Sequence, residues 1–218
     1  MSWDSSYRVI SAAEAEQRFS LAGQLHFPYL APEHQHETRL YEHDWHVEES
    51  DLMVGYEREE PPYHVIVDGD LTVDGEFTPV TKGPPTFVLV RGNLSARVVT
   101  LGGSPELIVH GDLTSDAGVL GDSTDCPVGR LTVHGHTRGP MVLSLDGFVM
   151  DLRHPPEGTA VGEADAFVGT YPVVGVREAL RPDLFVDGEL SLEGLWDDLS
   201  SGGPPPLPAE YERWWTSP

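Results

Sequence analysis

The residues best suited to chemistry lie in one stretch, EHQHETRLYEHDWH, which sets His34, His36, His43 and His46 within 13 residues among Glu33, Glu37, Glu42 and Asp44. Imidazoles at H-x-H and H-x-x-H spacing can share a transition metal when the segment folds back on itself. No zinc module has this spacing, so the four histidines are weak metal candidates that read equally as a polar, aromatic-studded loop, and no cofactor is implied. In DLRH, Asp151 and His154 form an acid/base pair without a nucleophile. Cys126, in STDCPVG, has no basic residue nearer than Arg130 to activate it. G-x-S-x-G, H-E-x-x-H, P-loop and G-x-G-x-x-G motifs are all missing. The chain therefore reads as a non-enzyme, and a metal-dependent enzyme built on a β-helix ranks third among the functional readings.

Whatever these residues do, a repeated unit must position them. VIVDGDL (65–71), VLVRGNL (88–94), LIVHGDL (107–113) and LTVHGHT (131–137) align with Gly69, Gly92, Gly111 and Gly135 in register. Strand-like units recurring about every 20 residues, with no helical pattern between them, mark a solenoid. Weaker copies at VVTLGG (98–103), GVLGD (118–122) and MVLSLDG (141–147) give each coil two strands or three. The glycines, with Asp70, Asn93 and Asp112 beside them, read as corners: glycine tolerates positive φ and Asp or Asn bonds nearby backbone. A calcium-binding β-roll would need a denser nonapeptide repeat.

Alternation assigns the faces. Val65 and Val67, Val88 and Val90, Leu107 and Val109, and Leu131 and Val133 point inward. Ile66, Leu89, Ile108 and Thr132 then point outward, and an external row this apolar needs cover, either from the chain's own termini or from a partner. The next outward row is Asp68, Arg91, His110 and His134, which is solvated wall or part of a binding face. Ile66, Asp68, Leu89, Arg91, Ile108, His110 and His134 are the candidate partner-binding residues.

Over about residues 63–153 the VxGDL coils resemble the right-handed β-helical repeats of bacterial solenoid proteins, and the bactofilin (polymer-forming cytoskeletal) family among them. The resemblance implies a mainly β fold, a single-stranded right-handed parallel β-helix, and self-assembly through the coil ends. Long aromatic-containing flanks depart from that family's pattern. Residues 1–62 read as an N-terminal cap with a helix in SAAEAEQRFSLAG, N-capped by Ser11 with Glu14 as capping-box partner and Gly23 past its end. Residues 154–218 read as a C-terminal capping segment and tail: short helices at VREALRP and LEGLWDDLSSG, then a stiff GGPPPLP leading to Trp214 and Trp215, which should dock.

Charge narrows the function. The net charge is −23, from 36 acidic and 13 basic residues, which repels nucleic acid and attracts basic surfaces. The flanks hold most of it: 13 acidic against 4 basic residues in 1–62, 11 against 6 in 63–153, and 12 against 3 in 154–218. One cysteine excludes an internal disulfide, the N-terminus has no basic-then-apolar leader, and no apolar run could span a bilayer, so a cytoplasmic location without membrane association is expected. The leading expectation is an acidic bacterial binding protein of immunity or antitoxin type that blocks a basic partner protein such as a toxin. The alternative is a bactofilin-like self-assembling scaffold. Oligomeric state is left open, with a dimer among the options.

Overall fold

The computed structural model describes residues 7–48, 51–54, 62–123 and 129–201. In chain order its elements are β1 (Tyr7–Ile10), α1 (Ala12–Phe19), β2 (Glu37–Tyr41), β3 (Trp45–Val47), β4 (Asp51–Val54), β5 (Tyr63–Val67), β6 (Leu71–Val90), β7 (Leu94–Val109) and β8 (Leu113–Asp122). These are followed by β9 (Arg130–Val133), β10 (Thr137–Leu145), β11 (Val149–Leu152), β12 (Glu157–Val161), β13 (Phe167–Val168), α2 (Val176–Ala179), β14 (Phe185–Val186), β15 (Glu189–Leu190) and α3 (Leu192–Ser200). Cys126 and the proline-rich tail with Trp214 and Trp215 lie outside the described residues. No described helix is long and apolar enough to cross a membrane.

The strands stack in parallel as a β-solenoid of about five turns. Each coil offers three strand segments. The first series runs β2, β5, the ends of β6 and β7, β9 and β11, in the register Leu40, Ile66, Leu89, Ile108, Thr132, Asp151. The solenoid thus starts earlier than Tyr63: β2, β3 and β4 form a first coil that pairs with β5 and β6. It also runs past residue 153, with β12 on β10 and β13 on β11. The coil interior is filled as alternation requires. Val67, Val90, Val109 and Val133 stack in one buried cluster with Leu71, Leu94, Leu113, Val99 and Val119 from the other two walls. Burying each such side chain contributes about 1.5–3 kcal/mol.

The corner glycines have a different physical reason from the expected one. None of Gly69, Gly92, Gly111 and Gly135 has a positive φ. Each is held to a hydrogen atom by the coil before it: a Cβ on Gly69 or Gly111 would lie 2.5 Å from the Oδ1 of Asp44 or Asn93. Those oxygens form a ladder. Asp44 Oδ1 accepts from the Asp70 N–H (2.9 Å), Asp70 Oδ1 from the Asn93 N–H (2.7 Å), Asn93 Oδ1 from the Asp112 N–H (2.8 Å) and Asp112 Oδ1 from the His136 N–H (2.8 Å). Every rung satisfies a backbone donor that the turn would otherwise leave unpaired.

Both flanks pack on outward rows of the solenoid. In α1, Ser11 Oγ accepts from the Glu14 N–H at 3.1 Å, as the capping pattern predicts, but the Glu14 carboxylate turns to Arg8 and leaves the box half made. The helix ends at Ser20, in the left-handed region with φ 52, and Gly23 belongs to the 3-10 turn after it. Strand β1 pairs antiparallel with β2 and covers the leading edge of the first strand series. After the coils, α2 ends at Ala179, before Pro182, and α3 is capped by Ser191 Oγ.

Candidate binding surface

The outward row expected to need cover has it. Ile66, Leu89 and Ile108 are buried beneath Ile10, Ala15, Phe19, Leu21, Leu25 and Tyr29 of the N-terminal flank. They are core residues, and their reading as partner contacts is corrected: the apolar row meets the chain itself. The row beside it is largely spent on the same junction. Arg18 reaches Asp68 at 3.2 Å and Arg91 lies 3.8 Å from it, while His110 Nε2 meets Gln24 Oε1 at 2.7 Å. Burial lowers the His110 pKa, with the nearby His134 and Arg91 acting in the same direction. His134 stays exposed, edge-on to His110 at 5.2 Å.

The four sequence-adjacent histidines do not converge. His34 and His36 lie in the turn before β2, whereas His43 and His46 flank the first corner, where His46 Nε2 meets Asp74 at 2.9 Å. No group of three or more His, Cys, Asp or Glu among the described residues is arranged to hold a metal. Asp151 and His154 part company too: Asp151 pairs with Arg130 at 3.2 Å and His154 stacks on His136 at 4.5 Å.

A second outward apolar row escapes the sequence reading. Leu120, Leu143 and Val161 stack coil on coil along the third strand series. Ala179, Leu180, Leu184, Leu195 and Leu199 of the C-terminal flank close over them. Arg97 fixes α3 from the solenoid side, donating to the Leu199 carbonyl at 3.0 Å while paired with Glu76 at 3.0 Å, so a cation sits at the negative end of the helix. The amphipathic spacing in LEGLWDDLS that buries Leu195 and Leu199 turns Glu193 and Asp197 to solvent.

The two flanks carry the same net charge in sequence, and in each some carboxylates are paired while others, Glu33 and Glu48 in the first flank, are exposed without an ion pair among the described residues. In the N-terminal flank, Arg8 pairs with Glu14 (2.7 Å) and Glu42 (3.4 Å), and Arg18 with Glu42 (3.3 Å) and Asp68. Hydrogen bonds from these guanidinium groups hold the Glu14 and Glu42 carboxyls below the usual range. In the C-terminal flank Arg181 takes Asp183 and Asp198, Glu157 pairs with Arg138 at 3.4 Å, and Glu163, Asp165, Glu178, Asp187, Glu189, Glu193 and Asp197 are exposed without an ion pair among the described residues. Exposed valines lie in the same flank: Val168, and Val186, which is 61% exposed at the β14–β15 hairpin whose turn is Asp187–Gly188. A cleft of about 480 Å³ opens where this flank meets the last coils, lined by Ser144, Leu145, Asp146, Gly147, Glu163, Ala166 and Val176. Asp146 and Glu163 place carboxylates on its lining.

The chain matches no family model, no curated protein and no solved structure.

Proposed function

We propose that the protein is a binding module that blocks a basic partner protein through its C-terminal flank, in the manner of an immunity protein or antitoxin, and carries out no chemistry of its own. The observation that carries this reading is local to the C-terminal flank: Asp187 and Glu189, exposed and without an ion pair among the described residues, stand beside the protruding Val186. An apolar anchor with a charged rim supplies both a desolvated centre and electrostatic steering. The antiparallel cover that β1 lays on β2, at the leading edge of the first coil, favours a discrete binder over the end-to-end growth of a bactofilin-like scaffold.

The test is capture from the native organism with Asp187→Lys, Glu189→Lys and Glu193→Lys combined, against a variant with Asp116→Lys, an exposed carboxylate on the solenoid wall. The expected result is a basic protein retained by the wild type and by Asp116→Lys and lost by the triple variant, with association slowed on the order of tenfold or more by added salt while dissociation changes less. Retention by the triple variant, or recovery of self-polymers alone, overturns the reading, and polymers would favour the scaffold.

A further inference from the structure

We propose that the segment from Leu21 to His36 is a strap clamped over the solenoid by a cluster of three imidazoles, His34, His36 and His64, and released when acid charges that cluster.

His64 projects outward from β5 and is fully buried under the strap. Its ring stacks on Phe87 at 4.4 Å, meets Tyr29 edge-on at 5.3 Å and lies 5.3 Å from the His36 ring. Its Nδ1 accepts from the Phe87 N–H at 3.3 Å, which leaves the proton on Nε2 to be donated to the His34 carbonyl at 3.0 Å. That second bond ties strap to solenoid. A proton added at Nδ1 would face the Phe87 N–H donor head-on. Around it, His34 Nδ1 and His36 Nε2 are buried with no hydrogen-bond partner among the described residues, so further positive charge there goes unanswered.

Of the other polar groups along the strap, only the His26 ring, whose Nδ1 lies 3.5 Å from Glu106 Oε2, gains a partner when protonated, and it lies one coil beyond Phe87 rather than at His64. Thr38, in register with His64, offers only a hydroxyl, 3.4 Å from that of Tyr29. Glu16 is engaged by the Ala22 N–H at 2.8 Å. Glu106 lies one coil beyond Phe87, accepts from the His26 N–H at 2.9 Å and has Arg130 beside it in register. No carboxylate figures in the electrostatic surroundings of His64 itself.

Burial lowers His64 from 6.5 to about 4. A depressed histidine contributes its stability in full above the unfolded value and loses it as pH falls toward the folded one. Burial raises the Glu106 carboxyl, so its effect has the opposite sign: stability is gained as pH falls and it takes up its proton. At about pH 5, His64 alone favours the released strap about 20-fold relative to neutral pH.

Hydrogen exchange on the purified full chain, with labelling times corrected for intrinsic rates, reads this directly. The expected result between neutral pH and about pH 5 is a loss of protection of up to about 20-fold in peptides covering 21–36, less whatever Glu106 offsets, with the strands around Val90 and Val109 unchanged. His64→Phe should flatten that pH dependence, and Glu106→Gln, which removes the opposing titration, should keep it or steepen it. Should His64→Phe not fold, the double variant His34→Gln, His36→Gln is expected to weaken it instead. Strap and coils losing protection together, a strap indifferent to pH, or an unaltered acid response in every histidine variant that folds would overturn the proposal.

Discussion

Val109→Asp is expected to leave no folded protein. Val109 is fully buried at the centre of the coil stack, between Val90 and Val133, within a cluster of aliphatic and aromatic side chains. A carboxylate there must be desolvated or take up a proton, and it also loses the valine's packing; such a change costs several kcal/mol against a total stability of about 5–15 kcal/mol. Val109→Ala gives the scale of the cavity alone, about 2–3 kcal/mol. Denaturant titration followed by far-UV circular dichroism distinguishes the two. A Val109→Asp variant with a wild-type spectrum and a cooperative transition would mean that this residue does not face the interior.

The second large effect is expected at Gly92. A Cβ there would lie 2.8 Å from both the Asp70 nitrogen and the Gly69 carbonyl carbon, and would press on the Asp70 carboxylate whose Oδ1 accepts the Asn93 N–H. Gly92→Ala therefore forces the corner open and breaks a rung, costing about 2–5 kcal/mol as overpacking and a lost hydrogen bond combine. Asp70→Ala alone should cost about 1–3 kcal/mol, and Asp70→Asn, which keeps the acceptor, should be mild. Combining Asp70→Ala with Gly92→Ala should cost less than the sum yet more than Asp70→Ala alone, because the backbone contacts remain. An additive double variant, or a harmless Gly92→Ala, would show that the corner is looser than its geometry.

The coils were legible because they obey a local rule: alternate residues enter the interior, and a glycine marks each corner where the next coil passes too closely for a Cβ. The first coil hid from that rule because RLYEHDWHV carries His43 where the later coils carry glycine; Asp44 in the Asp70 position was the available signal. What wraps the coils was only half legible. The outward row at Ile66, Leu89 and Ile108 announced a missing cover, and an amphipathic helix at the N-terminus was at hand, yet no local pattern says which of two acidic flanks lies on which wall. That Arg18 would answer Asp68 across 50 positions, while Glu193 would have no such partner among the described residues, is a property of the assembled surface. His64 was passed over because a polar residue in an outward strand position reads as solvated until Tyr29 and Phe27 are seen to close on it.

The bond between the His26 N–H and Glu106 joins residues 80 positions apart, and the same flank rests on Ile108. During synthesis at about 5–20 residues per second, the apolar face of the N-terminal flank therefore leaves the ribosome several seconds before its own docking wall exists. The C-terminal flank waits for nothing, since every coil it covers precedes it. The two covers thus carry unequal risk in the cell: the first must be sheltered or kept from its neighbours while the solenoid is being laid down, and a slowing of translation between the first coil and Ile108 would prolong its exposure to aggregation.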